Sequence, residues 1–153
     1  MKELNKDFAT KLIHIHGDLS GRYGKPVFGY GDEFNKTYRS FEELNFNDLY
    51  RHIKSFAYSL NSNYSTLTSI IDSGAYEVHI YGHSCGITDR TLLNQIFEHD
   101  NCQSIQVFYH QRDDGTNDFV EKSYEIARHF NDKIKFRKRL IPLDKSVPMP
   151  QNK

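Results

Sequence analysis

The sequence predicts an α/β domain with a mostly parallel sheet and helices packed on it. Three observations predict this class. From residue 77 onward, short apolar runs alternate with amphipathic segments in the order β-α-β-α-β. Alternation of that kind implies parallel strands joined by right-handed crossovers. Residues 77–97, EVHIYGHSCGITDRTLLNQIF, read as strand, glycine-bounded turn and helix, the unit on which α/β proteins place ligands at the carboxyl ends of strands. The length of 153 residues fits one such domain with a sizeable core.

Taken in order, residues 1–10 are polar and read as an arm, 11–143 as the domain and 144–153 as a tail. Ile13 and Ile15 alternate with His14 and His16, a period-2 pattern that predicts a strand ending at Gly17. Pro26, Val27, Phe28, Gly29, Tyr30 and Gly31 read as a strand or extended segment whose glycines admit close backbone approach. The charged stretch after it, with Asp32 and Glu33, reads as a surface loop. Asn47 caps a helix expected over 47–60, with Leu49, Ile53, Phe56 and Leu60 inward. A short helix follows over 65–71, closed by Gly74.

The central strand is expected over 78–81 and the helix behind it over 89–99, with Leu92, Leu93, Ile96 and Phe97 inward. Residues 104–109 are the next strand. Residues 119–130 are a helix with Val120, Tyr124, Ala127 and Phe130 inward. Ile134 and Phe136 belong to a last strand, and the basic residues Lys133, Lys135, Arg137, Lys138 and Arg139 form its solvated face. Pro142 ends regular structure, and Pro148 and Pro150 mark a loose end.

Composition narrows the partners. Lys and Arg together number 20, as do Asp and Glu, so net charge gives no general attraction to nucleic acid or to a membrane surface. No apolar run is long enough for a membrane span, and the first residues hold no apolar signal region. Cys85 and Cys102 are too few for a disulfide scaffold. Cytoplasm is the expected compartment.

The chemistry gathers at two strand ends. His16 stands beside Gly17, and His83 and Ser84 lie between Gly82 and Gly86. Glycines bring backbone N–H groups close to a ligand, and a following helix N-terminus favours an anion. His16 is the expected general base, against the plainer reading of a structural histidine bonded to a loop. His14 and His79, flanked by aliphatics, read as core or half-buried. Asp89 reads first as a helix cap, and alternatively as a carboxylate that holds a ribose or orders the 82–86 loop. Gly82-His83-Ser84-Cys85-Gly86 also matches G-x-S-x-G, which would make Ser84 a hydrolase nucleophile served by Asp113 or Asp114 and His129. Against that, the helix signal comes only at Thr88 or Asp89. His14, His16, His83 and Cys85 offer metal-ligand types without a metal-binding spacing, and no metal is expected.

The runs from Ile13 to Asp18, Phe28 to Glu33 and Val78 to Asp89, in that order and with Lys54-Ser55 and Tyr64 between them, resemble the bacteriophage abortive-infection AbiH family over about 12–143. The resemblance implies a bacterial phage-defence protein with a three-layer, Rossmann-like domain that is distantly sirtuin-like. It implies a site for NAD or a related nucleotide, with His16 as base or polarising group and Gly17, Gly82, His83, Ser84, Gly86 and Asp89 lining the pocket. Family members usually begin with a strand and a Gly-Asn-Gly-Phe-Asp-like loop, and nothing like it precedes Leu12. The resemblance is therefore to the C-terminal part of the family domain, inactive alone if that loop is essential. A homo-oligomer, or the remainder of the domain, is then the expected partner, and a non-catalytic interaction domain is the alternative.

Overall fold

The structure is a computed structural model that describes residues 10–29, 38–44 and 47–150. Short helices α1 (Tyr38–Glu43), α2 (Asn47–Tyr50) and α3 (Lys54–Ala57) lead through a 3-10 turn, Tyr58–Leu60, into α4 (Asn63–Asp72). Strand β1 (Tyr76–Tyr81) follows, and a second 3-10 turn, Ile87–Asp89, runs into α5 (Arg90–Glu98). Then come β2 (Cys102–Tyr109), α6 (Phe119–Arg128), α7 (Lys133–Arg139), a 3-10 turn at Leu143–Lys145 and β3 (Val147–Pro148). The three strands form one parallel sheet in the order β1-β2-β3, the Rossmann-like α/β arrangement expected.

The register explains the core. Val78 pairs with Ile105 and Ile80 with Val107, so these four side chains share one face of the sheet. Leu93 and Phe97 of α5, Phe119 and Ile126 of α6, and Phe136 of α7 pack on that face. Ile105, Val107 and Ile126 are fully buried. Burying each such side chain stabilises the fold by about 1.5–3 kcal/mol. The opposite face carries Glu77, His79 and Tyr81, all exposed, with Tyr81 stacked on Phe108 at 3.9 Å and His79 against both Glu77 and Phe108. A second cluster joins Val27, Tyr58 and Leu92, with Ile15, Tyr64 and Leu67 against it. That cluster ties the first described segment to α5 and positions the site.

Six expectations are corrected. Residues 13–17 form turns rather than a strand. Ile15 N–H bonds to the Ile13 carbonyl and Gly17 N–H to that of His14, which spends locally the groups a ladder would use. The alternation is answered by Ile15 packing into the second cluster. Among the described residues, Pro26 to Gly29 forms no strand and is joined to the 13–17 segment by the Val27 N–H bond to the His16 carbonyl; Tyr30, Gly31, Asp32 and Glu33 lie outside the described residues.

The helix expected over 47–60 is broken between Tyr50 and Lys54. Ile53 is extended (φ −91°, ψ 117°) and buried, whereas Phe56 and Leu60 are exposed. Gly29 lies so close to this break that a β-carbon there would sit 2.6 Å from the His52 carbonyl oxygen. The bend is thus packed against the 26–29 segment.

On α6 the buried stripe is Phe119, Ile126 and, just beyond its end, Phe130, while Val120 and Tyr124 face solvent. Residues 133–139 are helix α7, not a strand, because Asp132 Oδ1 accepts from the backbone N–H of Ile134 and Lys135 and caps the turn. Its basic residues are placed helically. Lys135 reaches Asp100 at 2.7 Å, and the buried Arg139 guanidinium donates to the Phe97 carbonyl at 2.5 Å. Finally, Pro148 is not loose: it pairs with Tyr109, whose carbonyl accepts from Met149 N–H at 2.8 Å.

Candidate functional site

Beyond β1 the chain turns sharply. Gly82 takes φ 65° in open space, and Cys85 takes φ 54°, a left-handed conformation uncommon for a residue with a β-carbon. Such a conformation persists only where surroundings enforce it, and here they do. The buried His129 donates from Nε2 to the Cys85 carbonyl at 2.7 Å. The Cys85 N–H donates to His83 Nδ1 at 2.9 Å. Lys122 Nζ donates to the His83 carbonyl at 2.7 Å. Gly86 closes the loop by accepting from Asp89 N–H.

The loop delivers Asp89 to a buried position at the start of α5. Its side chain makes no helix-capping bond, contrary to the capping expectation. Instead Lys54 Nζ bonds to Oδ1, His16 Nε2 stands 3.3 Å from the same oxygen, and His83 Nε2 stands 3.6 Å from Oδ2. The hydrogen bonds from His16, then His83, then Lys54 hold the carboxyl well below the usual carboxylate range, against the opposing effect of burial. His16 Nε2 also lies 3.3 Å from the Tyr58 hydroxyl. Burial and the Asp89 charge push that phenol far up, so it stays protonated.

His83 feels two opposed influences. The Asp89 carboxylate, and secondarily the Cys85 side chain, push its pKa up to about 9. The bond from Cys85 N–H uses the Nδ1 lone pair, which protonation would remove. With the ion pair Lys54–Asp89 neutral overall, a proton taken up by His83 makes the cluster cationic. Both imidazoles are partly open to solvent, while Lys54 and Asp89 are nearly enclosed. A groove of about 390 Å³ adjoins them, lined by Ile15, His16, His83, Cys85 and four successive residues of β1. Because consecutive strand residues line it, the groove follows the outer edge of β1.

The structure thus brings together His16, His83 and Asp89. Gly82 and Gly86 shape the connecting loop. Gly17 shapes the other side: its φ is 68°, and a β-carbon would lie 2.3 Å from the Lys25 carbonyl oxygen and 2.6 Å from that of Gly24. Both obstacles are backbone. Gly17→Ala is therefore expected to cost about 2 kcal/mol or more, the left-handed penalty plus a clash, and to move His16. Denaturant unfolding, with the His16 ring resonances as a local probe, measures both effects.

Ser84 is exposed, and the hydrolase arrangement finds no support around it. His129 gives Nε2 to the Cys85 carbonyl, Asp114 Oδ1 accepts from Thr116, and the strained residue is Cys85 rather than Ser84. An elbow holds its nucleophile in the strained position. His14 stacks on Tyr23 at 4.3 Å. No group of three or more His, Cys, Asp or Glu side chains among the described residues is placed to hold a metal ion. Sequence reasoning missed Lys54 and Tyr58 as members of the site. The break after Tyr50 is what turns Lys54 toward Asp89, and only the Lys54-Ser55 pair hinted at it.

No curated protein and no solved structure matches this chain. The family model described as Bacteriophage abortive infection AbiH matches residues 1–111. The match extends to residues before Leu12 and ends ahead of α6, whereas the resemblance was drawn over about 12–143. It spans α1 to β2 and every residue of the Asp89 cluster. On that match, the chain belongs to the bacteriophage abortive infection AbiH family.

Proposed function

We propose that this AbiH protein acts in phage defence, in the cytoplasm, through a nucleotide site built on Asp89, with NAD or a related nucleotide as ligand. The observation that carries the reading is one buried carboxylate gripping His16, His83 and Lys54 beside the carboxyl end of β1. Ligands of open parallel sheets bind at such ends. Asp89 fixes the proton of His16 on Nε2 and leaves the Nδ1 lone pair as a base, the orienting role a carboxylate plays toward a catalytic histidine. His83, when protonated, makes the site attractive to a phosphate, and the 82–86 loop with Gly82, Ser84 and Gly86 supplies backbone N–H groups close to it. His16 would then assist cleavage of the nicotinamide bond in a sirtuin-like manner.

Unfolding temperature with and without NAD, ADP-ribose and ATP tests binding. Ligand at about a hundred times its dissociation constant adds about 2.7 kcal/mol to the folded state. His83→Ala is expected to reduce the gain for all three. His16→Ala is expected to keep ADP-ribose binding within a few-fold while abolishing nicotinamide release and protection in a plaque assay. No stabilisation by any of the three would remove the reading. The exposed Tyr81, stacked on the half-buried Phe108, and the outer edge of β1 favour a second reading, a docking surface for another copy or another part of a family domain. A monomeric mass by light scattering across a concentration series would rule out the copy. Among the described residues no helix is long and apolar enough to cross a membrane.

A further inference from the structure

A second pocket of about 450 Å³ is lined by Ser55, Tyr58, Ser59, Asn61, Tyr64, Ser65 and Thr91. Its chemistry differs from that of the Asp89 cluster. Seven side chains converge, none carries a formal charge, and six of them bear hydroxyls. Ser59 and Ser65 donate to the backbone carbonyls of Phe56 and Ser62, which leaves their oxygens free to accept. Ser55 Oγ and Thr91 Oγ1 are buried and, among the described residues, have no hydrogen-bond partner. Tyr58 and Tyr64 stack at 5.1 Å, nearly parallel, and hold one wall rigid.

A buried hydroxyl without a partner is costly, so two in one pocket require an explanation. Small-molecule pockets commonly have this volume and a few convergent polar groups. An anion finds no countercharge here, and a purely apolar ligand would leave both hydroxyls unsatisfied. A ligand that both donates and accepts at several neighbouring positions, and presents C–H faces to aromatic rings, satisfies all of them.

We propose that this pocket binds the hydroxyl-rich ring of a neutral sugar, either a free pentose or the ribose of a nucleoside, with Ser55 Oγ and Thr91 Oγ1 turning into it by rotation about χ1 to meet the sugar hydroxyls. The site differs in lining from the Asp89 cluster and shares with it only Tyr58, which lines the pocket and also partners His16. The proposal does not depend on NAD binding or on catalysis.

Amide resonances of the whole chain, followed during titration with D-ribose and with adenosine, test it. Saturable shifts at Ser55, Ser59 and Thr91 are expected with adenosine. Shifts with ribose as well assign recognition to the sugar alone; shifts with adenosine only assign it to a sugar carried on a base. Ser55→Ala and Thr91→Val are each expected to weaken binding about three- to tenfold, as loss of one neutral hydrogen bond does. Without ligand, both variants should unfold at the same or a higher temperature than the wild type, because each removes a buried unpaired hydroxyl. His83→Ala should leave these shifts intact, which separates this outcome from that of the nucleotide site. No shift with either compound, or a lower unfolding temperature in both variants, overturns the proposal.

Discussion

Asp89→Asn is expected to lower folding stability by about 3 kcal/mol at neutral pH, the lower end of the cost of breaking a buried ion pair. Lys54 and Asp89 are 12% and 11% exposed at the side chain, so the substitution strands an ammonium group in a nearly closed space. The cost stays at the lower end because His16 and His83, 34% and 46% exposed, turn to water instead. Adding Lys54→Met to Asp89→Asn removes the stranded charge, so the double variant should recover much of the loss. A double-mutant cycle by denaturant unfolding reads that coupling.

The same cluster sets a pH profile. Asp89 has a depressed pKa in the folded state, so its contribution is present above the unfolded value of 3.8 and is lost as pH falls below it. His83 is raised from 6.5 to about 9, so its contribution is present below 6.5 and is lost as pH rises toward 9. His83 is almost half exposed, and solvent screening reduces its share to about 1 kcal/mol. Asp89→Asn should flatten both limbs of the profile. A variant as stable as the wild type across that range would show that the cluster is solvated rather than enclosed.

What the sequence revealed depended on the range over which each determinant acts. Helix α5 was legible because Leu92, Leu93, Ile96 and Phe97 repeat at helical spacing and all meet the sheet or its neighbours. Strands β1 and β2 were legible as apolar runs between turns. Helix α7 was not, since Ile134 and Phe136 stand two apart among cations and mimic an edge strand; the capping bonds of Asp132 decide the matter. Strand β3, two residues long, has no pattern to read and exists through its bonds to β2. At the site, His16, His83 and Asp89 could be grouped as residues beside glycine-bounded turns. Lys54 could not, because its place depends on a helix break packed under Gly29. The burial of His129 was not legible, because a histidine at a helix end gives no sign of it.

That burial makes His129 the second large effect. His129→Ala is expected to cost about 3–4 kcal/mol, combining a cavity with a Cys85 carbonyl left without its donor. The ring is 1% exposed and meets Phe97 edge to face at 5.9 Å, so nearby side chains cannot easily fill the space. His129→Phe leaves no cavity and removes the unpartnered Nδ1 atom, so its cost should fall to about 1–2 kcal/mol, the lost bond plus the strain of a somewhat larger ring. Both variants release the Cys85 carbonyl, which frees the 82–86 loop that carries His83. Nucleotide binding should therefore weaken in His129→Phe even though the fold survives, which distinguishes loop positioning from simple packing. Burial lowers the pKa of His129. As pH falls through 6.5 the unfolded chain takes up a proton that the folded chain refuses, and stability declines. His129→Phe should abolish that decline and leave the steeper loss below 3.8 that belongs to Asp89, whereas Asp89→Asn should do the reverse. If His129→Phe left the acid limb unchanged, the proton uptake would belong to another group, and His129 would be only a packed ring beneath the loop.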